Sequence, residues 1–287
     1  MKTSTEIASI ANLVGEEHAI ELVARAGFDA WDFTMSQMAI FDWKSQTIFP
    51  SNHPTGSGDY LKFARKLKQI GLDNGIHCNQ SHAPAPTFLP AMHEYLFRAI
   101  ECTAEAGGDV CVIHPANNFS PEQNAEMYDK LLPFAKDHGV RIATENMWNW
   151  DNEKNHCCFA ACATPDSFNA HMDAVKSGQL WACLDIGHAE MLGSDTSAVE
   201  MIHKLGNRLA ALHIHDNDKR NDSHQIPRSM NIDFDAVLRA LKDVGYKGYF
   251  TLESYSYLKK YNADNAFDGV KDLAAAARRL ADAYDKM

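Results

Sequence analysis

Six consecutive candidate strands of this 287-residue chain end in side chains that can bind a metal ion or transfer a proton. Strands that serve only as core usually end in turn-forming residues rather than in repeated Glu, Asp or His. The pattern therefore indicates a ring of functional groups at one end of a sheet. The seven residues are His82, His114, Glu145, Asp185, His213, His215 and Glu253.

Four of these residues have the spacing expected of metal ligands on neighbouring strands. Glu145 and Asp185 are 40 residues apart, Asp185 and His213 are 28 apart, and His213 and Glu253 are 40 apart, which is about one strand–helix unit each time. A single Glu could cap a helix, a single Asp could form a turn, and a single His is often a core residue. Together, three carboxylates and one imidazole favour Mn²⁺, Mg²⁺ or Co²⁺, and Zn²⁺ also fits.

The elements that must position these residues alternate along the whole chain. Short apolar runs are followed by amphipathic segments, which predicts parallel strands joined by helical crossovers. The predicted strands are 5–11, 28–33, 76–82, 109–114, 140–145, 180–185, 209–215 and 248–253. The predicted helices are 16–26, 58–74, 90–106, 121–138, 165–177, 195–205, 233–244 and 265–284.

Eight such units can close into a barrel or form an open doubly wound sheet. An open sheet usually has a glycine-rich phosphate-binding turn after its first strand, and no G-x-G-x-x-G follows the first predicted strand here. Chain length also suits a barrel. We therefore predict an α/β fold, a (β/α)8 TIM barrel, with residues 1–287 as a single domain. In such barrels the strand ends that carry the polar residues form the active-site mouth.

Composition narrows the class of partner. The formal net charge is −11 and there is no block of basic residues, which disfavours nucleic acid as the main partner. No apolar stretch approaches the length of a membrane span. The seven scattered cysteines indicate reduced thiols, and Glu6 interrupts the stretch that a secretory signal would need, so we expect a cytoplasmic protein that does not bind membranes. A homo-oligomer is compatible with the sequence.

Several motifs resemble those of the xylose isomerase-like TIM-barrel superfamily, in particular its sugar-phosphate isomerase and ketose 3-epimerase branch. The resemblance covers nearly the whole chain. Supporting matches are Ser81-His82-Ala83-Pro84, His114-Pro115 and Thr144-Glu145-Asn146. The strongest motifs are Leu184-Asp185-Ile186-Gly187-His188, Leu212-His213-Ile214-His215-Asp216, and the segment from Asp233 through Gly245-Tyr246-Lys247-Gly248-Tyr249 to Glu253.

The resemblance implies roles for particular residues. It makes Glu145, Asp185, His213 and Glu253 the ligands of one divalent metal ion, and it makes His188 a substrate contact. In the family a basic residue often follows the metal-binding His by six positions and holds substrate oxygens. Here Lys219 occupies that position, with Arg220 beside it. The family's Gly-x-Gly before the seventh helix is missing, so the identity of the substrate does not transfer.

The chemistry of this branch moves a proton on a carbon next to a carbonyl, through an enediolate. A divalent metal polarises the carbonyl, and two carboxylates remove and return the proton. We assign Glu145 and Glu253 to that acid/base pair and expect a small sugar or sugar-derived substrate. The residues predicted to hold it are His82, His114, His188, His215, Lys219 and Arg220, with Trp148 as a stacking wall for the sugar ring.

Three other activities share parts of this pattern. The same scaffold supports a metal-dependent dehydratase or isomerase of a keto-inositol or keto-sugar acid. A DNA-repair endonuclease of the superfamily would need several zinc ions, further His and carboxylate ligands, and a basic face, and the net charge counts against it. A sugar-binding barrel without catalysis would have little need of two opposed carboxylates. The long segment 35–57 is predicted to be a lid or a subunit contact, and the cluster Cys157, Cys158 and Cys162 to pack or to shape a mouth loop.

Overall fold

Parallel strands form the centre of the computed structural model, which describes residues 1–287. The first six strands are β1 (Lys2–Thr5), β2 (Ala30–Thr34), β3 (Ala39–Asp42), β4 (Thr47–Pro50), β5 (His77–His82) and β6 (Val110–Val112). The other six are β7 (Arg141–Glu145), β8 (Asn149–Asp151), β9 (His156–Cys158), β10 (Trp181–Asp185), β11 (Leu209–His213) and β12 (Tyr249–Leu252).

Eight of the strands form a ring. One parallel sheet has the order β11-β10-β7-β6-β5-β2, and β1 pairs in parallel with β12. Single bridges between Glu6 and Asp32 and between Ile214 and Leu252 join the two sheets. The predicted TIM barrel is therefore confirmed. The register sets Asp185 opposite His213, so β10 and β11 end at one level, whereas Glu145 at the end of β7 lies opposite Cys183 of β10.

Helices surround this ring. They are α1 (Ala8–Val14), α2 (Glu16–Ala26), α3 (Tyr60–Asp73), α4 (His93–Ala106), α5 (Pro121–Asp137), α6 (Pro165–Asp173), α7 (Ile186–Ala189), α8 (Ala198–Leu205), α9 (Phe234–Asp243) and α10 (Ala266–Lys286). Ser120 caps α5 through a capping box with Gln123, and the helix continues through Pro133. No helix has both the length and the apolar character needed to cross a membrane.

Two apolar layers fill the structure. The larger one lies between strands and helices, and it includes Trp31 and Phe33 of β2, both buried. A small cluster of Val110, Val112, Ala143, Cys183 and Ala211 from four adjacent strands is separate from it. Because side chains alternate along a strand, Asp32 points away from the layer that holds Trp31 and Phe33. Asp32 accepts a hydrogen bond from Gln80 Nε2 at 2.8 Å.

The first predicted strand, 5–11, is wrong. The strand is Lys2–Thr5, and residues 8–14 form α1. The short apolar run predicted a strand, but Ile7, Ile10 and Val14 have the spacing of one helical face, and Ile7 and Ile10 are buried. Glu6 therefore lies directly after the end of β1, at the mouth.

Two hairpins were not predicted. Strands β3 and β4 form one within the segment 35–57, and β8 and β9 form another after β7. The first exposes Trp43, which is 68% accessible, and Ile40, which is 52% accessible. The second contains Cys157, whose side chain is buried, and no cysteine forms a disulfide.

Candidate metal centre and active site

The four predicted metal ligands meet at the mouth of the barrel. Glu145, Asp185 and His213 are the last residues of β7, β10 and β11, and Glu253 directly follows β12. One ligand atom from each lies within 4.8 Å of the ligand atoms of the others. His213 Nδ1 is 3.1 Å from Glu145 Oε1 and 3.8 Å from Glu253 Oε2.

These residues fit a divalent cation by burial as well as by type. Glu145 and Asp185 are 1% and 0% exposed, and Asp185 Oδ2 has no hydrogen-bond partner. Glu145 Oε2 has only the His114 and His82 rings near it, with Nε2 atoms at 3.2 Å and 3.6 Å. Buried carboxylate oxygens need a partner, because removing a charge from water is costly. A cation between three carboxylates and one imidazole would supply that partner, and this donor set suits a hard or borderline divalent ion.

Electrostatics keeps the two buried carboxyls ionised. Burial by itself raises the pKa of Glu145, but the His213 and His114 imidazoles outweigh it and hold that pKa well below its usual range. Burial also raises the pKa of Asp185, and His188 and His215 more than offset it. Both groups are therefore in the charged form that a metal ion requires.

Neighbouring groups fix the orientation of Asp185. The Asn146 side chain spans β7 and β10, since its Nδ2 donates to the Asp185 carbonyl oxygen at 2.9 Å and its Oδ1 accepts from the Asp185 N–H at 2.8 Å. Asp185 Oδ1 accepts from the His188 N–H at 2.7 Å. The carboxylate is thus held by hydrogen bonds before any ligand arrives.

His215 lies in the interior, beneath the open part of the mouth. It is completely buried, and its Nε2 is 3.1 Å from Asp185 Oδ1. Its ring fits against Gly187, where a Cβ atom would lie 1.9 Å from His215 Cε1. His215 therefore contacts Asp185 and has no surface exposed to the mouth in this structure, and its role as a substrate contact stays a prediction.

Lys219 and Arg220 are also not brought to the metal ligands. Lys219 Nζ pairs with Glu190 Oε2 at 3.1 Å, and Arg220 Nε donates to the Asn155 carbonyl oxygen at 3.1 Å in the β8–β9 hairpin. Both cations join mouth loops to each other. Neither contact involves one of the four predicted metal ligands, and the roles of Lys219 and Arg220 in holding substrate oxygens stay predictions.

His82 and His114 form a pair beside Glu145. Their Nε2 atoms are 2.8 Å apart, and they lie 3.6 Å and 3.2 Å from Glu145 Oε2. Burial and the neighbouring His82 lower the pKa of His114, whereas Glu145 overcomes burial and raises the pKa of His82. The short distance between the two Nε2 atoms is explained by one proton that forms a hydrogen bond between the rings. Both residues line clefts at the mouth, and their contact with substrate stays a prediction.

Two residues of the mouth, Asp222 and His224, were not predicted from the sequence. They come from the long connection between β11 and α9, where no strand end marks them. Asp222 Oδ2 is 3.0 Å from His224 Nε2 and 3.4 Å from His188 Nε2. The Tyr255 ring stacks on His224 with centroids 3.9 Å apart. The Asp-x-His spacing on a loop at the mouth was the available signal.

A third missed residue is Glu6. It lines a cleft together with His82, Glu253 and Tyr255. Aromatic and apolar residues line an adjoining cleft beside His114, among them Trp43, Phe88 and Met147. Trp148 is half-buried, and its ring centroid is 6.3 Å from that of His188. The mouth thus combines polar groups around the ligand set with an apolar wall, as small-molecule sites commonly do.

Comparison with known proteins agrees with the barrel fold. The chain is 30% identical over 254 residues to the uncharacterized protein MJ1311 of Methanocaldococcus jannaschii, covering 82% of this chain and 78% of that protein. It is 27% identical over 129 residues to fructoselysine 3-epimerase of Escherichia coli O157:H7, which is 45% of this chain and 44% of that enzyme. A crystal structure of a D-tagatose 3-epimerase-like protein has the same fold, with a TM-score of 0.70 at 23% identity over 98% of this chain and 99% of that one. The family described as xylose isomerase-like TIM barrel matches residues 20–282, and the chain belongs to that family.

Proposed function

We propose that this protein is a divalent-metal-dependent sugar isomerase or epimerase that moves a proton on a carbon next to a carbonyl. The observation that carries the proposal is the position of Glu145 and Glu253, which approach the same His213 Nδ1 from different strands. A metal ion held by these residues with Asp185 would polarise the substrate carbonyl. The relatives named as 3-epimerases support the same class of reaction.

The two glutamates differ in their access to substrate. Glu253 has a side chain that is 15% exposed and borders a cleft, whereas Glu145 is 1% exposed. We assign proton removal to Glu253, which would act on the face of the carbon that it meets. Glu145 would return the proton from the opposite face. His82 and His114 adjoin Glu145 Oε2, so they would exchange its proton or bind a substrate hydroxyl.

The apolar part of the mouth suits the body of a sugar. Trp148 and the cleft residues Phe88 and Met147 offer surfaces against which C–H faces pack. Hydroxyl groups would meet the histidines on the other side. This division supports a sugar or sugar-derived substrate. The dehydratase alternative uses the same metal and base, so only identification of the product distinguishes a dehydratase from an isomerase or epimerase.

The direct test replaces each glutamate by glutamine. Glu145→Gln and Glu253→Gln should each keep the fold and lower turnover by about 10²–10⁴-fold, the usual contribution of general acid–base catalysis. The measurement is deuterium incorporation from D2O into a panel of ketoses, followed by NMR, which also reports dehydration. Glu126→Gln, exposed on α5, is the matched control. Near wild-type exchange in either active-site variant would refute the two-base assignment.

Metal dependence is tested separately. Treatment with EDTA should abolish exchange, and Mn²⁺ or Co²⁺ should restore it, because the donor set contains three carboxylates and one imidazole. Activity that survives complete removal of metal ions would contradict the proposed role of the ion while leaving the fold unaffected.

A further inference from the structure

Two clefts meet at the mouth of the barrel. The cleft lined by Glu6 and Glu253 has a volume of about 490 Å³, and the cleft beside His114, here called the His114 cleft, has a volume of about 580 Å³. Ala85 lines both clefts, and the rings of His82 and His114, one from each cleft, are in contact. Each volume is that of a whole small-molecule site, and such sites hold ligands larger than a hexose. A single hexose beside the metal ligands would therefore leave much of the His114 cleft empty.

The His114 cleft suits an uncharged occupant. No Lys, Arg, Asp or Glu lines it, whereas Glu6, Glu253 and Lys259 all line the other cleft. A phosphate or carboxylate group in the His114 cleft would lose hydration without gaining a counter-charge from one of these side chains. Its occupant is therefore expected to be neutral.

Polar groups in the wall of the His114 cleft still lack partners. Thr87 is 3% exposed, and its Oγ1 makes no hydrogen bond, which is unusual for a buried hydroxyl. Asn149 Nδ2 donates to Asn118 Oδ1 at 2.8 Å, and Asn117 Nδ2 donates to Asn149 Oδ1 at 3.2 Å. Asn118 Nδ2 and Asn117 Oδ1 remain as a free donor and a free acceptor. This wall fits a ligand that carries several hydroxyl groups.

Aromatic rings lead from the same cleft into the β3–β4 hairpin. Phe41 packs edge-on against Phe88 with ring centroids 6.1 Å apart, and Trp43 packs edge-on against Phe41 at 4.8 Å. Trp43 lines the cleft and is 68% accessible, so much of its ring is free for a ligand. Apolar walls with a few polar groups are typical of small-molecule sites. A sugar ring matches both parts, because its C–H faces pack on aromatic rings and its hydroxyl groups form hydrogen bonds.

We infer that the His114 cleft binds a second sugar unit, so that the substrate is a sugar carrying a glycosyl group and not a free monosaccharide. The inference rests on the proposed function for the place of the reacting unit, next to Glu145 and Glu253. From there the glycosyl group extends past His114 and packs on Trp43, and its hydroxyl groups meet Thr87 and the asparagine amides.

The test compares a ketose with the same ketose bearing a second sugar. Protein loaded with Mg²⁺ is titrated with fructose and with lactulose, maltulose, leucrose and isomaltulose, which carry glycosyl groups on different hydroxyls of fructose. Dissociation constants are measured by isothermal titration calorimetry. At least one disaccharide should bind about tenfold more tightly than fructose, the effect of one good aromatic contact.

Variants of the cleft wall locate the second unit. Trp43→Ala and Thr87→Val should each remove that preference and leave the dissociation constant for fructose unchanged. Thr87→Val deletes a hydroxyl that makes no hydrogen bond within the protein, so the variant should fold normally. Ile40→Ala is the matched control, because Ile40 is 52% accessible on the same hairpin but does not line the cleft. It should bind every sugar as wild type does.

Two results would overturn the inference: no disaccharide binds more tightly than fructose, or both cleft variants keep the wild-type preference. Loss of the preference in either variant supports the site, and Thr87→Val decides alone if Trp43→Ala disturbs the hairpin. The proposed function fails separately. Tighter binding of a disaccharide without deuterium exchange into any sugar would refute the reaction and leave the second sugar site in place.

Discussion

Glu6 is a buried acid without a cation to balance it, and this has a measurable consequence for stability. Its side chain is 4% exposed, and its oxygens accept from the backbone N–H of Ser9, at 2.9 Å, and from the Ser9 hydroxyl. Burial raises the pKa of Glu6 to about 7, although the two hydrogen bonds from Ser9 lower it, and the nearby Glu253 and Asp32 carboxylates raise it further. The folded protein therefore holds a proton that the unfolded chain releases.

The magnitude follows from the two pKa values. Raising the pKa from 4.5 to about 7 corresponds to about 3 kcal/mol at 1.36 kcal/mol per pH unit. Because the folded state binds the proton more tightly, this contribution is fully present below pH 4.5 and falls as the pH rises to about 7, above which it stays constant. A neutral side chain at this position would not lose this stability as the pH rises.

The variant Glu6→Gln tests this reasoning. It keeps an oxygen that accepts from the Ser9 N–H but carries no titratable proton. We expect its free energy of unfolding to equal that of wild type near pH 4.5 and to exceed it by up to about 3 kcal/mol above pH 7. The measurement is urea unfolding between pH 4.5 and 8 with EDTA present.

Comparison with Glu126→Gln, at an exposed position of α5, isolates the effect of burial. That substitution should change stability by less than about 0.5 kcal/mol at every pH. The reasoning about Glu6 is refuted if Glu6→Gln is no more stable than wild type at pH 8, or if the difference between them does not change with pH.

Other predictions concern packing, the mouth and the thiols. Gly187→Ala places a methyl group 1.9 Å from His215 Cε1. The free energy of unfolding should therefore fall by about 1–3 kcal/mol, and the zinc content of the purified protein should fall as well. Unchanged values of both would show that the His215 ring moves freely. Trp148→Ala should raise the KM for a ketose substrate about tenfold with a smaller change in kcat, if its ring packs on the sugar, and an unchanged KM would contradict that role. Cys158 is the one cysteine that is not buried. Native protein should therefore react rapidly with DTNB at one thiol, and unfolded protein at all seven. Rapid reaction of several thiols in the native protein would contradict the described packing.

Much of the fold could be predicted because a parallel barrel repeats one local pattern. Apolar strands and amphipathic helices are encoded by residue spacing, so seven of the eight barrel strands lie where the sequence indicates. The exception is the first strand. There Ile7 and Ile10 suit either a strand or a helix over so short a segment, and packing of both side chains into the core decides for α1.

The convergence of the four proposed metal ligands could be predicted for a related reason. In a barrel, every strand ends at the same mouth, so Glu145, Asp185, His213 and Glu253 had to converge once the strands were recognised. The spacing of one strand–helix unit between them is a property of the linear chain. No knowledge of the surrounding side chains was needed to bring them together.

The sequence by itself thus determined the barrel and the strand ends that carry its polar groups. Only the tertiary structure decided what surrounds them. Asp222 and His224 lie in a connection without periodicity, and the course of that loop brings them to His188. His215 shares the strand-end pattern but is turned into the interior against Gly187. Burial, hydrogen-bond direction and the distance between charges arise from contacts between residues far apart in the chain, and these contacts separate a buried support from a ligand.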